Sequence, residues 1–325
     1  MSTYGNSAAM AKYGKFGLGL QGAEGSENAG TSVVWMPMCD APSFKWHANG
    51  AAIDAADGAH YEHQHYSQGQ FWAGSVGVFM YPGAVSTLIS WIQTRDDNNQ
   101  GVMATVWLVD KNATLVRTAM DVKVRTAEFP LVQNQPMRVN LDLVGKQDGT
   151  KSEPTGYDKP LLSAPFVRKD VTVVLKAAST EDTDRGWTFK GGTIRIDNQV
   201  QDPMDGMRFN GSYNPYVLYN TGAAICSGDC TRDALDLDFY NAWRQSYEVG
   251  SDASYNWEDD DYDSYMTVTY ARGATTFGLS IPRMRIEDVD TGMLGSRRGI
   301  QEERITWVAL ADATTAATAP ITLST

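Results

Sequence analysis

Ile281-Pro282-Arg283-Met284-Arg285-Ile286 and, after a loop, Ile305-Thr306-Trp307-Val308-Ala309-Leu310 read as two strands, the first basic and the second apolar. An earlier pair, Val122-Lys123-Val124-Arg125 followed by Met137-Arg138-Val139-Asn140-Leu141-Asp142-Leu143, follows the same plan. β-branched and aromatic residues in short runs, interleaved with polar ones, mark half-buried strands. A second landmark also occurs twice: Ile53-Asp54 lies upstream of the first pair and Ile196-Asp197 upstream of the second. The chain thus reads as one β-rich unit written twice, and a repeat of this size points to an architectural role.

Working outward, Val33-Val34-Trp35-Met36-Pro37-Met38 is a short strand, and Ser43-Phe44-Lys45-Trp46-His47 a second one running into Asn49-Gly50, a hairpin signal. Residues 61–66 and 70–80 predict two more strands around a turn at Gln68-Gly69, and residues 103–109 and 115–129 two further strands. Between them Val85, Leu88, Ile89 and Ile92 recur at helical spacing, with Pro82-Gly83 as a start signal, and their stripe should seal one face of the unit. In the second copy Val171-Thr172-Val173-Val174-Leu175 opens the plan, and Leu237, Tyr240 and Arg244 mark a helix within residues 234–247.

A chain of 325 residues suits two domains. Residues 1–31, rich in Gly, Ala and Ser, read as an arm that orders against neighbours. The first unit is expected over 32–148, a linker holding Pro154, Pro160 and Pro165 over 149–170, and the second unit over 171–325. The second copy is the longer between landmarks, and its excess falls in an acidic insertion near 248–264.

Composition excludes several classes of function. A net charge of −12 is wrong for gripping polyanions, because a nucleic-acid binder replaces counterions with Lys and Arg. The opening Met1-Ser2-Thr3-Tyr4-Gly5-Asn6 lacks a basic start and apolar run, so no signal peptide is expected. Cys39, Cys226 and Cys230 are too few and odd in number for a disulfide framework, which suits a reducing cytosol.

Candidate chemistry is sparse. His60-x-x-His63-x-His65 places His63 and His65 on one face of a strand, yet no further ligand completes a zinc or nickel set unless Glu62 turns across; a solvated face is expected and no metal. Glu258-Asp259-Asp260-Asp261-Tyr262-Asp263 lacks the alternation and central Gly of a calcium loop and reads as a solvated run. Cys226-x-x-x-Cys230 reads as a structural thiol pair ahead of the helical segment. All histidines lie between His47 and His65, no Gly-x-Ser-x-Gly elbow occurs, and Gly17-Leu18-Gly19 and Gly191-Gly192 precede no phosphate-binding helix. Trp46, Trp72, Trp91, Trp107, Trp187, Trp243 and Trp307 read as core rather than a sugar platform. No catalytic residue, cofactor or metal ligand is therefore assigned, and an enzyme is not expected.

Lys15-Phe16-Gly17-Leu18-Gly19-Leu20-Gln21 with Gly30-Thr31 ahead of a strand resembles the opening of the tail tube proteins of long-tailed bacteriophages (siphophages). The closing strands, 281–286 and 305–310 with Gly299-Ile300 between them, resemble the last two strands of that fold, and residues 122–145 follow it more loosely. The resemblance implies a mainly β chain: two tandem tail-tube-like domains, each a β-sandwich or partial barrel with a flanking helix. It implies a virion structural protein assembled in the host cytoplasm, forming trimeric, pseudo-hexameric rings that stack into a tail tube. Phage DNA would leave through the lumen without specific binding, and tape-measure and terminator or tip proteins would be partners. Residues 1–31, 54–69 and 197–214 are the candidates for contacts between rings. Two other readings compete: a non-polymerising decoration or tail-tip protein, and a carbohydrate-binding β-sandwich or hydrolase working through aromatics and Asp259–Asp263. The absent leader counts against the last.

Overall fold

The computed structural model describes residues 13–53, 64–112, 115–133, 135–150, 153–159, 164–176, 189–233, 264–290, 302–310 and 322–324. The protein is mainly β, built of antiparallel strands, with one α-helix among the described residues. It separates into two compact units that interleave along the chain. The first comprises residues 1–127, 139–164 and 198–223, and the second residues 128–138, 165–197 and 224–325.

The first unit contains β1 (Lys15–Leu20), β2 (Val34–Pro37), β3 (Lys45–Ile53), β4 (Gln64–Phe79), α1 (Val85–Gln93), β5 (Ala104–Val109), most of β6 (Val116–Leu131) and nearly all of β7 (Arg138–Asp148). Its strands are bonded in the order β2-β1-β5-β6-β7-β4-β3. The second unit contains β8 (Val171–Lys176), β9 (Gly191–Asp197), β10 (Ile225–Asp233), β11 (Ser264–Arg272), β12 (Thr275–Asp290), β13 (Glu302–Ala309) and β14 (Thr322–Ser324). Its order is β8-β11-β12-β13-β10-β9, with β14 bonded to β12. Matched strand for strand, β1, β5, β6, β7, β4 and β3 take the places of β8, β11, β12, β13, β10 and β9. One strand order thus occurs twice among the described residues.

The match extends to an irregularity. Ala104 pairs with Val122 and Val106 with Ala119, so Met120 and Asp121 of β6 together oppose Thr105. Ser264 pairs with Met284 and Met266 with Ile281, so Pro282 and Arg283 of β12 together oppose Tyr265. Both long strands thus carry a two-against-one bulge at the same point, which bends the strand and raises its twist. The bulges equate Asp121 with Arg283 and Lys123 with Arg285. That is two residues from the pairing of Lys123 with Arg283 that the sequence landmarks suggest, and an even shift leaves the face unchanged.

Local chemistry explains the elements. The helical stripe is real: Val85, Leu88, Ile89, Trp91 and Ile92 are buried on α1. Trp91 stacks on Phe16 of β1, and its indole N–H donates to the Val122 carbonyl at 3.1 Å. The helix starts without a capping side chain; the Tyr81 carbonyl takes the Ala84 and Val85 N–H groups instead. β5 is buried along its whole length, which fits a run that is apolar but for Thr105, whose hydroxyl accepts the Asn28 N–H at 2.9 Å. β13 alternates cleanly, turning Glu303, Ile305, Trp307 and Ala309 inward.

Three expectations are corrected. Asn49-Gly50 does not turn a hairpin, and Gln68-Gly69 does not separate two strands. Both lie inside β3 and β4, where Asn49 pairs with Gly69 and Gly50 with Ser67, so that Gln68 is the extra residue of a bulge. The small residues that signal a turn here relieve a register slip instead. Lys15–Leu20, expected in a peripheral arm, is an inner strand bonded to both β2 and β5. Gly17 makes room there for the Trp35 indole, since an added Cβ would lie 2.6 Å from it.

Of the expected linker, residues 153–159 are fastened to the first unit. The Lys15 ammonium donates to the carbonyls of Tyr157 and Lys159, and the Trp35 indole N–H donates to that of Thr155 at 3.3 Å. The helix expected over 234–247, the acidic insertion as far as residue 263 and residues 1–12 of the arm lie outside the described residues.

Candidate assembly surfaces

The sequence candidates for chemistry land in structural surroundings. His47 on β3 stacks on Phe71, with Nε2 3.3 Å from the Ala73 carbonyl. His60 and His63, like Asp259–Asp263, lie outside the described residues, and of His65 the backbone alone is described, on β4. Among the described residues no group of three or more His, Cys, Asp or Glu is placed to hold a metal ion. Cys226 and Cys230 lie on β10, and burial pushes both thiols up to about 12. Trp72, Trp91, Trp107 and Trp307 are core residues, Trp46 is half-buried, and Trp187 and Trp243 fall outside the described residues. Gly191 and Gly192 sit in β9 against the carbonyls of Leu131 and Asp229, where a side chain would collide. Gly17 and Gly19 are strand residues as well.

Sequence reasoning missed two buried polar clusters. In the first unit the Lys123 ammonium donates to Asn220 Oδ1 at 3.0 Å and to Gln100 Oε1 at 3.2 Å. Asn220 in turn donates to the Asn198 carbonyl at 2.8 Å, and Arg95 donates to Asn198 Oδ1 at 2.8 Å. Asn198 Nδ2 donates to the carbonyls of Ile92 and Val124. The cluster thereby pins both ends of the 198–223 segment to α1 and β6. Burial holds Lys123 down at about 8; Arg95 adds to this, and Glu24 and Asp96 oppose it. Lys123, Arg95, Gln100 and Tyr219 line a cleft of about 400 Å³.

The second cluster lies in the second unit. Arg232 of β10 and Glu303 of β13 are 4% and 1% exposed and stand opposite each other in register. The guanidinium reaches Glu303 Oε2 through Nε at 3.0 Å and Nη2 at 2.9 Å. Such a pair fixes register because removing either charge strands the other.

The outward features are of another kind. The pinned segment, which includes most of the expected contact region 197–214, presents Phe209, Tyr213, Tyr216 and Tyr219, all exposed. Phe209 is fully exposed, an unusual position for a large apolar side chain. Strand borders are the second feature. Among the described residues β2, β3 and β8 are each bonded on one side, and β12 beyond Met284 is bonded to β13 alone.

No family model matches this chain, and no curated protein is similar to it.

Proposed function

We propose that the protein is a non-enzymatic structural subunit that polymerises with copies of itself into the tail tube of a bacteriophage. The observation that carries this reading is the pairing of one strand order, repeated within the chain, with strand borders that remain bondable. An unpaired border recruits another strand, and ring closure removes the liability. Two tube-like units per chain make a trimeric ring pseudo-hexameric, and head-to-tail stacking of rings gives a hollow filament.

The chain's negative charge supports passage of DNA through the lumen. Duplex DNA carries about one charge per 1.7 Å, and a basic wall would hold it through many phosphates. Exposed Phe209 and Tyr213 support a role for residues 197–214 in contacts between rings. On this reading the protein resides in the virion tail after assembly in the host cytoplasm, around a tape-measure protein and below a terminator.

Negative-stain microscopy of concentrated protein tests it: hollow tubes or trimeric rings are expected. A protein that sediments as a monomer at every concentration overturns it.

A further inference from the structure

Two cations meet at the cleft of the first unit, and uncharged groups hold both of them. Lys123 is 2% exposed. It gives two of its three ammonium protons to the side-chain amide oxygens of Asn220 and Gln100, at 3.0 and 3.2 Å. Those acceptors are themselves fixed: the Gly101 N–H donates to Asn220 Oδ1 and the Asn220 N–H to Gln100 Oε1, both at 2.9 Å. Arg95 donates to Asn198 Oδ1 through Nη2 and to the Asn99 carbonyl through Nη1 at 3.1 Å. Among the described residues every acceptor of either cation is an amide oxygen. Amide dipoles orient an ammonium and a guanidinium without neutralising them, and burial makes a counter-charge worth more.

The carboxylates nearby are engaged elsewhere. Glu24 forms an ion pair with Lys146 at 2.6 Å, and Asp96 Oδ1 accepts the N–H groups of Asn98 and Gln100. Lys123 and Arg95 line a cleft of about 400 Å³, a volume that suits a small organic molecule. Its lining also includes Val102, Met103, Val217 and Leu218, an apolar wall for a hydrocarbon stem. Glu24 and Asp96 line it as well, and their charges disfavour a dianion such as phosphate over a monoanion.

We propose that this cleft binds a monoanionic carboxylate carried on a short apolar stem, with Lys123 and Arg95 as its hydrogen-bond donors. Charge-assisted bonds from an ammonium and a guanidinium to one carboxylate supply the affinity, and the apolar wall selects the stem. The carboxylate has two possible sources, a free organic acid and an acidic side chain of a second copy. The lining belongs wholly to the first unit, and the site does not rest on the tube reading.

The test titrates sodium butyrate into the full-length protein at fixed ionic strength, with butyramide and sodium chloride as controls, and follows the melting temperature. A ligand that binds the folded state raises it. Butyrate should do so saturably, and neither control should. Arg95→Gln and Lys123→Met should each weaken the apparent affinity at least about tenfold, the scale of one charge-assisted hydrogen bond. Arg95→Gln keeps an amide donor for Asn198, so it decides the matter even where Lys123→Met fails to fold. No saturable response to butyrate, or an equal response in the folded variants, overturns the site. Phosphate binding as tightly as butyrate overturns its assignment to a monoanion. The source is read from assembly. Where a second copy supplies the carboxylate, butyrate and Arg95→Gln both raise the concentration needed for half-assembly; where a free acid is the ligand, neither changes it, and both outcomes uphold the site. Absence of any assembly in the parent chain overturns the tube reading and leaves this one to the butyrate titration.

Discussion

Gly228 stands directly opposite Trp307 in the β10–β13 register, and a Cβ added to Gly228 would lie 2.5 Å from the indole ring. The same Cβ would strike the Thr193 carbonyl of β9. The glycine is a vacancy cut to an aromatic shape, between two strands whose backbones leave no slack. Gly228→Ala is therefore expected to destabilise the second unit by about 1–3 kcal/mol, the usual cost of overpacking. A urea titration followed by tryptophan fluorescence reads this as a lower midpoint with unchanged slope.

Two residues along the same pair of strands, Arg232 and Glu303 give a contrast between single and double replacement. Glu303→Gln leaves a buried guanidinium without its counter-charge and should cost roughly 3–5 kcal/mol. Replacing both residues together, as Arg232→Met with Glu303→Leu, should restore most of that loss. If the double variant unfolds as readily as the single one, the pair does more than neutralise itself.

Lys123 links stability to alkaline pH. Its folded-state value, about 8, lies below the ordinary 10.5, so between these limits the unfolded chain holds more of the proton than the folded one does. The contribution of this residue to stability should therefore rise with pH across that window and be level below it. Lys123→Met should remove the rise, so the difference between parent and variant melting temperatures should grow from about pH 8 to about pH 10.5. A difference that is flat with pH would mean that the ammonium is hydrated in solution.

Thiol labelling separates the cysteines. Cys226 and Cys230 are buried with their thiols pushed up to about 12, whereas Cys39 is half-buried at the end of β2. Ellman's reagent at neutral pH should titrate one thiol in the native protein and all three in denaturant, because reactivity follows thiolate access.

The sequence conveyed the strands, the repeat and α1 because each has a local cause. Val85, Leu88, Ile89 and Ile92 define a stripe whatever they pack against. Asn49-Gly50 and Gln68-Gly69 misled because a flexible pair signals a break in regularity without saying whether the chain reverses or merely slips by one residue. The partner strand decides that, and each pair faced the other. Lys15–Leu20 was hidden by its glycines, which suit a loose arm as well as a strand beneath a Trp35 ring. The polar clusters were illegible for a simpler reason. Lys123 and Asn220 are 97 positions apart, and Arg232 and Glu303 are 71 apart. Nothing near Lys123 distinguishes a lysine with buried partners from one in water.

Covalent tandem fusion has a kinetic corollary. Both copies of the repeat belong to one polypeptide and so share the effective concentration that a tether provides. Contacts with a second molecule depend on protein abundance. On the self-assembly proposed above, a chain that carries both copies needs half as many encounters as singly encoded units would.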